Sequence, residues 1–90
     1  MSEEVYLELT YRHGKPFAGY LHLPRREGDR AVRSRKAGPA LVVDYADDGR
    51  AIGVEIVSPE IVSADEINRL LAELDQQALG ADELAPLLAG

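Results

Sequence analysis

Residues 41–57, LVVDYADDGRAIGVEIV, decide the fold of this chain, because they read as two strands joined by an acidic turn. Asp48 and Gly49 suit the turn, since glycine readily adopts a positive φ and aspartate tolerates one. Pairing around them keeps six apolar residues on one face, because side chains alternate along a strand. The predicted pairs are Tyr45 with Ile52, Val43 with Val54, and Leu41 with Ile56.

The loop length decides whether this pairing holds. A two-residue loop, or a four-residue loop over 46–49, keeps the apolar residues together, whereas a three-residue loop sets Leu41 opposite Glu55 and mixes the faces. A slip of one residue exchanges the two faces, so we expect an even loop length. The second face is half polar and would meet water or a loosely packed neighbour. It carries Ala40, Val42, Asp44, Gly53, Glu55 and Val57.

Three further segments before this hairpin read as strands. Residues 5–12 alternate between apolar and polar, and the turn residues of 13–16 separate them from a second strand over 17–23. In this second strand Phe17 is expected on the core side. Residues 31–35 predict a short edge strand with Val32 inward, and its charges would discourage pairing with other chains.

The C-terminal third predicts one amphipathic helix over 63–79. Ser63 and Glu66 have the spacing of a capping box, and the apolar residues that follow form one stripe. Residues 82–88 could form another short turn of helix, which Pro86 limits, and the tail over 80–90 is expected to fray towards its end. The stripe consists of Ile67, Leu70, Leu71, Leu74 and Ala78.

Composition indicates one small domain over 1–90. The chain has 90 residues and no cysteine, which excludes disulfides and cysteine-based zinc sites. We see neither an apolar run of membrane-spanning length nor a secretion signal, so a cytoplasmic protein without membrane contact is expected. Residues 1–57 hold nine basic and nine acidic residues, whereas 58–90 hold one and seven. The net charge of −6 therefore lies in the C-terminal third and argues against nonspecific phosphate binding.

These patterns predict an α+β fold. It would have four or five antiparallel strands in meander order over 5–60, ending in the hairpin, with the single helix packed on one face. The side chains expected in the core are Leu7, Leu9, Leu21, Leu41, Val43, Ile52, Val54, Ile56, Leu70 and Leu74.

Two segments resemble the bacterial domain of unknown function 2283 family. AGYLHL at 18–23 occupies the place of a first family strand, and VDYADDGRAIGVEI at 43–56 that of a more specific second motif. The resemblance covers roughly residues 5–60, and Ala46 departs from it by replacing an acidic turn residue. It implies a small antiparallel sheet with a flanking helix that self-associates. It implies no activity, and some members' position beside small toxin-like proteins suggests an antitoxin-like role.

The acidic residues of the hairpin are the candidates for a catalytic or metal site. Counted from Asp44 to Glu55, the stretch nearly fits a calcium loop, but its third position is Ala46 and its flanks alternate like strands. Asp44 and Glu55 share the second face and could act as acid and base only inside a cleft that excludes water. We therefore predict no catalytic, metal or cofactor site. Val42, Asp44, Glu55 and Val57 are instead candidate interface residues.

The two histidines, His13 and His22, stand without the three or four convergent donors of a metal site, and we interpret both as structural.

Residues 25–36 hold the one basic cluster, which could remain solvated, meet an acidic partner, or contact nucleic acid. No aromatic residue interleaves it, so base stacking is not supported. The cluster consists of Arg25, Arg26, Arg30, Arg33, Arg35 and Lys36.

Three functional hypotheses follow. The first is a non-catalytic interaction module that forms a small homodimer or binds a small neighbouring protein. The second is a nucleic-acid contact through residues 25–36. The third is a small enzyme that uses Asp44, Glu55 or His22.

Overall fold

A computed structural model describes residues 5–88, which form a five-stranded antiparallel sheet and two helices. The α+β class predicted from the sequence is confirmed. A 3₁₀ turn, Pro59–Ile61, joins the sheet to the helices. The strands are β1 (Tyr6–Arg12), β2 (Lys15–His22), β3 (Arg33–Lys36), β4 (Leu41–Tyr45) and β5 (Ala51–Ile56), and the helices are α1 (Ala64–Glu73) and α2 (Ala81–Leu88).

The strands lie in the order β1-β2-β5-β4-β3, so the predicted meander order is wrong. β5 pairs with both β2 and β4, and the connection over 23–32 carries the chain to the far edge. Burial explains this order. β5 buries four of its six residues and takes the centre, whereas every residue of β3 is exposed, which suits an edge.

The β4–β5 hairpin keeps two of the three predicted pairs. Leu41 lies opposite Ile56 and Val43 opposite Val54, but Tyr45 lies opposite Ala51 rather than Ile52. The register shifts between Asp44 and Tyr45, and this shift leaves Ile52 as the additional residue of a bulge.

The loop of this hairpin has three residues, so the expected even length is wrong. The Ala46 N–H donates to the Arg50 carbonyl at 2.9 Å, and the Gly49 N–H donates to the Ala46 carbonyl at 3.0 Å. Gly49 has a φ of 90°, as a turn followed by a left-handed residue requires. The three-residue loop and the bulge at Ile52 each shift the register by one residue, and the two shifts cancel. The apolar residues farther from the turn, Leu41, Val43, Val54 and Ile56, therefore lie on one face.

The β1–β2 hairpin contains a second bulge. Thr10 pairs with Ala18 and Tyr11 with Pro16, so Phe17 has no partner on β1. Its side chain is 48 % exposed, and the prediction of a core position for it is wrong. Val32 likewise does not face inward, since it precedes β3 and is 53 % exposed.

Helix α1 begins as the sequence predicts. The Ser63 side chain accepts a hydrogen bond from the Glu66 N–H at 3.1 Å, and the Glu66 carboxylate accepts one from the Ser63 N–H at 3.3 Å. Both bonds satisfy backbone donors that the first helical turn leaves free.

Helix α1 ends at Glu73, six residues before the predicted end. Asp75 has a φ of 58°, and the Gln76 N–H donates back to the Leu71 carbonyl at 2.8 Å. This is a left-handed helix stop that glycine usually forms, and aspartate is one of the few other residues that tolerates it. The absence of a glycine at position 75 explains why the pattern did not reveal the stop.

Helix α2 occupies the segment in which the sequence allows another short turn of helix. Leu84 and Leu87 are each 1 % exposed, so this helix is packed into the core, and residues 89–90 lie outside the described part. The Asn68 amide anchors the connection between the helices, because it donates to the Leu79 carbonyl at 3.0 Å and accepts from the Leu79 N–H at 2.8 Å. The prediction of a single helix is therefore wrong.

The core lies between one face of the sheet and the two helices. Seven of the ten predicted core residues are buried, and Leu7, Leu9 and Leu74 are half-buried against them. The main buried cluster consists of Leu21, Leu23, Ala40, Leu41, Val43, Val54, Ile56, Val62, Ile67, Leu70, Leu71, Leu79, Leu84 and Leu87.

Candidate functional site

The face of the sheet opposite this core is here called the open face. Residues directly opposite each other on neighbouring strands share a face, so the strand register places two rows of side chains across it. The helical residues that are buried join the core cluster on the other side, and the open face is left largely to solvent. The first row is Tyr6, His22, Gly53, Asp44 and Ser34, and the second is Glu8, Tyr20, Glu55, Val42 and Lys36.

A hydrogen-bonded network crosses the open face from β2 to β3. The Tyr20 hydroxyl donates to Asp44 Oδ2 at 2.8 Å, and the Ser34 hydroxyl donates to Asp44 Oδ1 at 2.7 Å. To reach Asp44, the Tyr20 ring lies across Gly53 on the intervening strand, and any side chain at that position would collide with it. The absence of a side chain at Gly53 therefore allows Tyr20 to bridge three strands.

The environment of Tyr20 keeps its hydroxyl protonated. Burial and the bond to Asp44 raise the pKa of Tyr20 to about 12, and burial is the larger cause. The Arg25 guanidinium acts in the opposite direction but more weakly. A protonated hydroxyl is the form that can donate to a carboxylate, so this network is structural over the ordinary pH range.

We expect this network to lose its stabilising effect in alkali. The pKa of Tyr20 is raised in the folded state, so its contribution to stability is complete below about pH 10, the ordinary tyrosine pKa, and disappears as the pH rises through about 12. Urea unfolding of the wild type and of Tyr20→Phe between pH 8 and pH 12 measures it. The advantage of the wild type should shrink across that window, and an advantage that is constant with pH would contradict the assignment.

His22 belongs to a second group beside this network. Its Nε2 lies 2.7 Å from Glu8 Oε1, its ring stacks on Tyr6 with centroids 4.4 Å apart, and the Tyr20 ring meets it edge-on at 4.8 Å. His13 is remote from this group, in the exposed turn between β1 and β2. Among the described residues, no three potential ligands are grouped to hold a metal ion.

The four candidate interface residues do share the open face, but the two acidic ones are not a pair. Glu55 is exposed and lies opposite Val42 and Tyr20, in the row next to that of Asp44. Both oxygens of Asp44 already accept hydrogen bonds, so neither is placed as a free general base. Val57 follows β5 on the same face and is 42 % exposed.

A broad hollow of about 500 Å³ opens on this face beside Tyr20. Its walls combine aromatic and apolar side chains with two carboxylates and two hydroxyls. The hollow is shallow and solvated, which suits a contact surface better than an enclosed ligand site. It is lined by Glu8, Thr10, Phe17, Ala18, Gly19, Tyr20, Glu55 and Val57.

The basic residues of 25–36 do not form one patch. Arg25 turns inward, where its Nη2 donates to the Ile52 carbonyl at 2.9 Å. Arg26 and Arg30 remain in the exposed connection between β2 and β3. Arg33 and Arg35 lie over Tyr45, with guanidinium carbons 5.1 and 5.9 Å from its ring centroid, whereas Lys36 lies on the open face.

Arg50 is an organising residue that the sequence reading missed. It pairs with Asp29 and with Asp48 at 2.7 Å each, and so ties the connection between β2 and β3 to the β4–β5 turn. Its hydrogen bonds hold the pKa of both carboxyl groups below the ordinary range. The only sequence signal is an arginine directly after an aspartate-glycine turn, which does not reveal the distant Asp29.

The chain matches no family model, no curated protein and no solved structure. The resemblance to the domain of unknown function 2283 family therefore stays a prediction. None of the helices within residues 5–88 is long and apolar enough to cross a membrane.

Proposed function

We propose that this chain is a non-catalytic interaction module that forms a homodimer through the open face. The observation that carries the proposal is the exposure of large apolar and aromatic side chains there. Tyr6 is 49 % exposed, Val57 42 %, and Phe17 at the hollow 48 %. Aromatic side chains are enriched at protein interfaces, and a sheet face that exposes apolar and aromatic side chains suits stacking against a second sheet.

The charges at the two edges of the face favour a second copy as the occupant. Glu8 lies on edge strand β1 and Lys36 on edge strand β3, in the same row. When two copies stack about a two-fold axis parallel to the strands, β1 of each copy lies over β3 of the other. Each Glu8 then faces the Lys36 of the second copy, and a two-fold interface contains this contact twice.

The area of the face limits the affinity. Five strands about 4.8 Å apart and about 17 Å long give a projected area of roughly 400 Å² per copy. Side-chain relief adds to this, so the dimer would bury on the order of 1,000 Å² in total, at the low end for specific complexes. Glu55 lies on the central strand, so the two copies of it approach the axis and repel. We therefore expect a reversible dimer in the micromolar range.

Sedimentation velocity over low to high micromolar concentrations tests the dimer. Val57→Asp should leave a monomer, because it adds a charge to the apolar part of the face. The matched control is Ile61→Asp, since Ile61 is 55 % exposed in the 3₁₀ turn and outside the open face. A wild type that stays monomeric at every concentration would overturn the proposal.

Charge exchange tests the axis itself. Glu8→Lys and Lys36→Glu should each weaken the dimer about tenfold, because like charges then face each other twice. The double variant should restore it, and Glu55→Gln should strengthen it. A double variant as weak as the single ones would exclude the proposed axis. The family resemblance independently implies self-association, and capture of a small neighbouring protein in place of a second copy would support the antitoxin-like role instead.

A further inference from the structure

The outer edge of β3 presents backbone groups that the sheet does not use. The Ala37 N–H donates to the Leu41 carbonyl at 2.8 Å, so residues 37 and 41 form a hydrogen-bonded pair. Such pairs alternate along an antiparallel ladder, which makes Arg33 and Arg35 the residues bonded to β4. The N–H and C=O groups of Ser34 and Lys36 therefore point away from the sheet, and each offers one donor and one acceptor to another strand.

The side chains of this edge carry a concentrated positive charge. Arg33, Arg35 and Lys36 occupy three of its four positions. Arg33 and Arg35 project on the same side, where both lie against Tyr45, and the Arg35 Nε donates to the Tyr45 hydroxyl at 2.9 Å. Tyr45 packs on the core cluster and so gives the two guanidinium groups a firm support.

These charges form no ion pair within the described part of the chain. None of the three basic side chains of β3 forms a salt bridge with an acidic residue within 5–88, whereas Arg50 forms two. Charged edge strands keep identical chains from pairing, because like charges would face each other. The same charges favour a strand of opposite sign.

We propose that β3 is a docking edge for an extended acidic peptide, which adds to the sheet as a sixth strand. Its backbone would bond to the outward groups of Ser34 and Lys36, the usual source of affinity in strand addition. Carboxylates at alternate positions, about 6.6 Å apart, would match the spacing of Arg33 and Arg35. A peptide fits better than a nucleic acid, because the edge alternates donors and acceptors and both arginines already lie against the ring of Tyr45.

Fluorescence anisotropy with a labelled peptide of alternating glutamate and threonine tests the charge component. Arg33→Glu with Arg35→Glu should weaken binding at least about tenfold, since two charge-assisted contacts become repulsive. Arg26→Glu with Arg30→Glu is the matched control, because it makes the same charge change in the same segment away from the edge. An equal loss of peptide affinity in both double variants would mean that only the net charge of the protein matters, and would overturn the proposed site.

The backbone component needs a second comparison. Ser34→Pro removes an outward N–H while leaving the bonds between β3 and β4 in place, as proline on an edge strand can. Ser34→Ala removes only the side-chain bond to Asp44. Ser34→Pro should weaken peptide binding about tenfold relative to Ser34→Ala. Equal affinity of the two variants would exclude strand addition.

A labelled single-stranded RNA with the same net charge as the peptide tests nucleic acid as the alternative partner. If the RNA binds more tightly than the peptide at the same ionic strength, and the Arg33→Glu, Arg35→Glu variant abolishes this, the partner class proposed here is wrong. These measurements are made in the Val57→Asp background, which leaves β3 unchanged and removes the proposed dimer contact. Their outcome is therefore independent of the homodimer proposal.

Discussion

Gly53→Ala is expected to lower the free energy of unfolding by about 3 kcal/mol, because the cost of overpacking and the cost of a lost hydrogen bond add. A Cβ at position 53 would overlap the Tyr20 hydroxyl oxygen and its Cζ. No small adjustment relieves contacts this short, so the Tyr20 ring must leave the face. Asp44 then loses the hydroxyl that donates to it at 2.8 Å.

Two comparisons separate this collision from a general intolerance of alanine at glycine positions. Gly19 is also buried in a strand, but its Cβ would meet only the end of the Leu87 side chain at 2.9 Å, so Gly19→Ala should cost about 1 kcal/mol, the low end for overpacking. In a Tyr20→Ser background the ring is absent, and Gly53→Ala should then be nearly neutral. Urea unfolding of the four variants in this cycle gives the coupling between the two positions. Equal costs of Gly53→Ala in both backgrounds would contradict the bridging role of Tyr20.

The hairpin illustrates how much of the fold local patterning can predict. The shared face of Leu41, Val43, Val54 and Ile56 follows from alternation alone, because a register displaced by one residue would bury polar residues. The loop length and the bulge at Ile52 could not be predicted separately. Each moves the register by one residue, and the hydrophobic pattern records only their sum.

The order of the strands needs information that no local pattern carries. The sequence indicates that β3 is polar, which suits an edge, but not that β5 would lie between β2 and β4. Tyr20, Gly53 and Asp44 come together only because of that order. For this reason the sequence identified Asp44 as a candidate interface residue but missed the tyrosine that holds it.

The basic segment shows a similar limit. Six cationic residues close together in sequence predict one surface, yet the chain crosses the sheet within this segment. Arg25 therefore contacts β5, while Arg33 and Arg35 lie at the far edge. What remains of the predicted contact site is the short strand at that edge.

Leu84→Ala is expected to lower the free energy of unfolding by about 3 kcal/mol, within the range for removing a buried leucine side chain. Leu84 is 1 % exposed and belongs to the main core cluster together with strand and α1 side chains. A domain of this size has a total stability of about 5–15 kcal/mol, so the loss would be a large fraction of it. Urea unfolding followed by circular dichroism measures the difference.

Leu88→Ala is the matched control, because Leu88 lies in the same helix but is only half-buried. It should cost about 1 kcal/mol, less than Leu84→Ala, since part of the area it removes already contacts water. If the end of the chain frayed, as its proline and short length suggest, both substitutions would be nearly neutral and equal. A large difference between them requires α2 to be docked. Since Pro86 and the marginal length of α2 weaken it in isolation, its helical state depends on the two leucines that the sheet and α1 bury.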